Sequence, residues 1–143
     1  MKNSDEIFFE QYKLFTESAE RTSDRRQSTN NYFLTLNSAL LKFTGYLSSI
    51  QFKIWHVILA IAGIFICILW ILNIKSFRTL NSAKFKIIHE MEEKLPMKLF
   101  CDEWKLLDKG NKEGYLRFSK IEQGIPIIFL ILYFVMMSIM IFI

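Results

Sequence analysis

The chain has 143 residues, 52% of them hydrophobic, and a formal net charge of +4 at pH 7. That length allows one domain or one small membrane unit, and the apolar residues fall in three blocks, which favours a membrane protein over a soluble core. The basic stretches are mixed with acids, which argues against a nucleic-acid partner. Two cysteines, Cys67 in an apolar block and Cys101 in a polar one, do not make a disulfide framework.

Residues 1–27 form a polar arm without the basic, apolar and small-residue regions of a secretory signal. The N-terminus is therefore expected in the cytoplasm, with the first span as an uncleaved anchor. Phe8, Tyr12, Phe15, Ala19 and Thr22 recur at helical spacing between charged residues, the pattern of an amphipathic helix. Arg21, Arg25 and Arg26 follow. They either face water, with Glu17–Arg21 as an i,i+4 pair, or sit at lipid headgroups or between subunits. Near anionic lipid each basic residue gains roughly 1 kcal/mol. No helix breaker separates the arm from the next segment, so one long helix is predicted.

Residues 28–50 read as a first transmembrane helix with a polar half. At 100° per residue, Asn31, Thr35, Ser38, Lys42, Gly45 and Ser49 form one stripe, and Asn30, Asn37, Thr44 and Ser48 a second beside it. Phe33, Leu36, Leu40, Phe43, Leu47 and Ile50 take the opposite half. In hydrocarbon, polar side chains need partners, so the polar half is expected to face protein or water. Asn30 and Asn37 are candidates for hydrogen bonds between helices. Lys42 either snorkels outward or lines a hydrated lumen.

Residues 51–53 are a short outer turn. Residues 54–74 are a second span, about 31 Å long at 1.5 Å per residue, matching a bilayer core. Trp55 and Trp70 near its ends suit the membrane interfaces, and His56 reads as a polar residue at the outer edge. Ala60, Gly63 and Cys67 share a face with His56 and form a packing seam, against the first span or a neighbouring subunit.

Residues 75–124 are polar and carry eleven of the Lys and Arg residues; the outer turn carries only Lys53. The positive-inside rule puts this segment and the N-terminus in the cytoplasm and the C-terminus outside. Phe77, Leu80, Ile87, Ile88, Met91 and Leu95 continue the second span as an amphipathic helix ended by Pro96. Met97, Phe100, Trp104 and Leu107 form a second short helix, and residues 109–114 a Gly-punctuated loop. The helical hairpin is expected to pack on the N-terminal arm. His89-Glu90-Met91-Glu92-Glu93 lacks the second His of a zinc-protease motif. With no phosphate loop, cysteine cluster or activated serine, neither enzyme activity nor a metal or cofactor is expected. Residues 125–143 read as a third span without charge, with Pro126 in its first turn; it is expected to face lipid, with no domain expected beyond it.

Several runs resemble the RipA family of small octameric bacterial inner-membrane proteins. These are Tyr12-Lys13-Leu14-Phe15-Thr16-Glu17-Ser18-Ala19-Glu20-Arg21, Ser23-Asp24-Arg25-Arg26-Gln27 and Asn30-Asn31-Tyr32-Phe33-Leu34-Thr35-Leu36-Asn37-Ser38-Ala39-Leu40. Leu95-Pro96, Glu103-Trp104 with Leu107, and Glu122 with Pro126 join them. The resemblance implies a homo-octamer in the bacterial cytoplasmic membrane and carries over no catalytic residue. A weaker similarity, to two-span effectors of anti-phage systems thought to permeabilise the bilayer, is reduced by the third span.

The expected fold is thus an all-α integral membrane protein. It has three transmembrane helices, long helical cytoplasmic extensions and a homo-oligomeric ring. The expected function is a non-enzymatic channel-like or scaffold ring whose partners are its own copies and membrane lipids. The alternatives are a membrane-anchored module recruiting a cytoplasmic protein and a permeabilising defence effector.

Overall fold

The computed structural model describes residues 3–47, 53–107 and 118–142, and every regular element among them is a helix. Helix α1 (Ser4–Leu47) runs unbroken for 44 residues. No proline or glycine interrupts it before Gly45, and Asp5 and Glu6 lie in its first turn, where the helix dipole favours acids. Helix α2 (Lys53–Glu92) carries the apolar run 54–74 straight on into the polar segment. It closes in a turn in which the Lys94 and Leu95 amides donate to the Met91 and Glu92 carbonyls, ahead of Pro96. Helix α3 (Leu99–Leu106) is short, and α4 (Phe118–Phe142) spans 25 residues. Pro126 is inside α4, not in its first turn, because the helix already begins at Phe118. Its ring nitrogen cannot supply the N–H that helix geometry aims at the residue four back. Most of the expected outer turn (51–52) and the loop 109–114 lie outside the described residues; Lys53 belongs to α2.

The chain divides into two compact units, Met1–Arg26 with Ser76–Arg117, and Gln27–Lys75 with Phe118–Ile143. In the first, the predicted arm stripe turns inward: Ala19 and Thr22 are buried, and Phe8, Tyr12 and Phe15 half-buried. On α2 the inward positions are Phe77, Asn81, Lys84, Phe85, Ile88 and Glu92. Leu80 and Ile87, expected on this stripe, point outward. The three-or-four spacing through Ile88 puts Asn81, Lys84 and Glu92 inside instead, a face too polar to be recognised from hydrophobic periodicity. Lys84 donates to Ser18 Oγ at 2.6 Å and lies over the Phe15 ring. The Asn81 side-chain oxygen is buried without a hydrogen bond.

Glu92 assembles this unit. It is fully buried and accepts three hydrogen bonds, from the Tyr12 hydroxyl (3.1 Å) and from the backbone amides of Phe100 (2.9 Å) and Cys101 (3.0 Å). Those amides lie in the first turn of α3, whose N-cap residue, Lys98, supplies no side-chain cap. A cationic side chain cannot accept an N–H. The carboxylate from α2 therefore does the work of an N-cap, and the positive end of α3 favours its charge. Phe85 packs edge-on against Phe100 beside it.

In the second unit Ala60, Cys67 and Tyr133 form a fully buried cluster, edged by Leu40, Leu41, Ile64, Phe129, Leu130, Met136 and Met137. The Ala60–Gly63–Cys67 seam thus receives α4. A Cβ at Gly63 would fall on the Tyr133 ring, so this close approach requires glycine. Helix α4, expected to face lipid, therefore gives one face to protein. Trp70 is also buried, stacked on Phe33 at 5.8 Å and packed against Phe129, whereas Trp55 stays exposed. The indole N–H of Trp70, a residue expected near a membrane interface, finds a partner inside the bundle.

Two predictions follow from this packing. Gly63→Ala should destabilise the second unit by about 1–3 kcal/mol through overpacking, read as a lowered unfolding midpoint in mild detergent. In the first unit, burial, helped by the Glu92 charge, pushes the Tyr12 hydroxyl up to about 12. Followed by absorbance at 295 nm, the Tyr12 ionisation should lie well above the usual 10, and Glu92→Gln should bring it back toward that value. The stability from this contact is complete below pH 10 and is lost as pH rises toward 12.

Candidate functional site

Helix α1 carries two polar stripes within the second unit, and the fold treats them differently. Asn30, Asn37 and Thr44 look into the bundle. Asn37 is fully buried. Its Nδ2 donates back to the Phe33 carbonyl at 2.8 Å. Its Oδ1 accepts from the Tyr133 hydroxyl at 3.2 Å and the Cys67 thiol at 3.4 Å, so one amide ties α1 to both α2 and α4. Asn30 repeats the arrangement: its Oδ1 accepts from the Trp70 indole and its Nδ2 donates to Glu122 Oε1, both at 2.9 Å. Thr44 satisfies its hydroxyl on the Leu40 carbonyl.

Asn31, Thr35, Ser38, Lys42 and Gly45 lie on the far side of α1 and are all exposed. Nothing within 4 Å would meet a Cβ at Gly45. Of the residues read as subunit-interface or lumen candidates, Asn30 and Asn37 are thus engaged inside the chain. A seven-residue spacing returns to nearly the same helix face, which is why 30, 37 and 44 share one environment. The arginines belong to the first unit. Arg21 and Arg25 are exposed, Arg21 lying 4.0 Å from Glu17, while Arg26 is half-buried. His56, read as a polar residue at the outer edge, is buried.

Glu92, Glu122 and Tyr133 were not foreseen as organising residues. Tyr133 could have been noticed as a hydroxyl at mid-span, since a buried phenol needs a partner. Glu92 had no such signal within an acidic run. Among the described residues no group of His, Cys, Asp and Glu is placed to hold a metal ion. Cys67 and Cys101 are free thiols.

Two described helices are long and apolar enough to cross a membrane, Ile54–Glu92 and Ile121–Ile139. Only 28% and 17% of their most apolar windows are covered by the rest of the chain, so their apolar surface is not that of a soluble core. The polar part of α1 does not meet that composition, for it carries Lys42 and both polar stripes. The class is therefore an all-helical membrane protein. The chain belongs to the Octameric membrane protein family (8xMP), whose model matches residues 9–142. No curated protein matches it. No solved structure matches it.

The two stripes predict different losses. Asn37→Leu should destabilise the folded chain by roughly 1–3 kcal/mol, because the Tyr133 hydroxyl loses its side-chain acceptor in a dry interior. Asn31→Leu should leave the unfolding midpoint of the isolated chain within about 0.5 kcal/mol of wild type. Equal losses from both changes would contradict the assignment of the stripes.

Proposed function

We propose that the chain is the non-enzymatic subunit of a RipA-like homo-octameric ring in the bacterial cytoplasmic membrane. In this reading three helices cross the bilayer, α1 among them, with the N-terminus and residues 75–124 in the cytoplasm. The exposed stripe of Asn31, Thr35, Ser38 and Lys42 carries the proposal. A membrane helix keeps such a face only where protein or water meets it. Small neighbours such as Gly45 allow a second helix close approach. Membership of an octameric family supports a copy of the same chain as that second helix. The charge distribution supports the orientation, with eleven Lys and Arg in residues 75–124 against Lys53 in the outer turn.

Magnitudes divide the stripe. Interhelical hydrogen bonds in membranes average about 0.6 kcal/mol, so Asn31, Thr35 and Ser38 together give about 2 kcal/mol per subunit. A lysine in the middle of a span costs about 2.5–3.5 kcal/mol on insertion scales, which those bonds do not offset. In this reading Lys42 therefore keeps water, while the amide and hydroxyls make subunit contacts.

A second reading, a membrane-anchored module that recruits a cytoplasmic protein, is favoured by Met97, Leu99 and Leu106, which are exposed beside and along α3. A permeabilising defence role would use the same ring. Native mass spectrometry from mild detergent separates ring from anchor. Eight copies are expected, and the triple change Asn31→Leu, Thr35→Leu, Ser38→Leu should release smaller species. A wild-type monomer would remove the ring and leave the anchored module.

A further inference from the structure

From the one charge that α1 carries between Gln27 and Leu47, exposed on its outward face, we infer that the assembly conducts small inorganic anions through a hydrated path lined by Lys42. This rests on the oligomeric reading above. Lys42 is the only Asp, Glu, Lys or Arg between Gln27 and Leu47, and none occurs in residues 54–74. Its side chain is exposed. Glu122, the acidic residue of this unit, is buried and accepts from Asn30, so it is turned away from the exposed stripe. Each subunit thus offers a path along Asn31, Thr35, Ser38 and Lys42 one positive charge and no exposed negative one. Rings of basic side chains select anions, because the field at a narrow constriction attracts the counter-ion and rejects cations.

Snorkelling is a poor alternative for this lysine. Residue 42 lies eight residues from the expected outer end of the span, about 12 Å along the axis. The stem of five bonds of about 1.5 Å reaches roughly 6 Å. Helical side chains also lean toward the N-terminus of their helix, so the stem points back into the span. The inner end of the crossing, near residue 28, is about 21 Å away by the same rise. An ammonium that reaches neither surface must find water between the helices. The stripe through Ser38, Thr35 and Asn31 supplies hydroxyls and an amide that can hydrate the approach from one side.

The test uses the full chain, purified in mild detergent and reconstituted into phosphatidylcholine–phosphatidylglycerol vesicles under a potassium chloride gradient. The reversal potential reports the chloride-to-potassium permeability ratio. Chloride preference is expected for the wild-type protein and for Lys42→Arg, which keeps the charge. Lys42→Glu should lower the ratio by about tenfold or more as the ring changes sign. Native mass spectrometry of each sample fixes the subunit count. Intact oligomers with no chloride conductance, or with a ratio indifferent to Lys42→Glu, would overturn the anion path and leave the oligomeric subunit standing. A wild-type monomer would overturn both. Should Lys42→Glu fail to assemble, the wild-type ratio decides: a cation preference or no current refutes the inference.

Discussion

The side-chain amide of Asn37 lies fully buried where α1, α2 and α4 converge, and the bundle is arranged so that its oxygen is never left alone. A polar atom in a dry, low-dielectric interior strongly constrains its neighbours, because leaving it unpaired costs more than any single apolar contact gains. Tyr133 must approach on one side and Cys67 on the other. For Tyr133 to do so its ring must lie on Gly63, where no side chain stands in the way. The glycine, the phenol and the amide are therefore one device written in three separate parts of the sequence. Asn30 is the same device two helical turns earlier, its partners Trp70 and Glu122 again contributed by α2 and α4.

The first unit solves a comparable problem with a charge. Glu92 ends α2, where the helix dipole opposes a carboxylate, and is buried as well. What retains it is the start of α3, whose amides offer donors and whose dipole has the favourable sign. The short helix in turn lacks a cap of its own. Each element removes the other's defect, and the Tyr12 hydroxyl fastens α1 to the junction. This is why eight residues suffice for α3, although an isolated helix of that length is unstable in water.

Much of this was legible where pattern and packing coincide. The arm stripe of Phe8, Tyr12, Phe15, Ala19 and Thr22 was predicted and turns inward, because its period is helical and its alternatives are charged. The continuation of α2 beyond the apolar run was readable too, since nothing interrupts it before Pro96. Legibility failed where the inward position is polar. Leu80 and Ile87 read as a core stripe only because Asn81, Lys84 and Glu92 look like solvent residues. Trp70 was placed at an interface by its distance from the end of the span, yet Asn30 on another helix holds its indole. Tyr133 was lost in a uniformly apolar run. In each case the deciding partner stands far away in the sequence, 40 residues for Asn30–Trp70 and 96 for Asn37–Tyr133, where periodicity has no reach. The two polar stripes of α1 were both visible, but which one the chain would use was not, since both carry amides and hydroxyls.

That division has a consequence for assembly. A helix with a single polar face can satisfy it within its own chain and then meet lipid with the rest. Helix α1 has two, and the chain supplies α2 and α4 for only one of them. In the proposed reading, where α1 crosses the bilayer, the remaining face, with Asn31, Thr35, Ser38 and Lys42, would penalise the lone protomer in hydrocarbon and become tolerable only when another surface or water reaches it. Apolar contact alone could not supply such a preference, because lipid tails are as apolar as leucine and give helices no hydrophobic reason to associate. The same polarity that keeps this segment of α1 from reading as an ordinary membrane span is thus what would drive copies of the chain together.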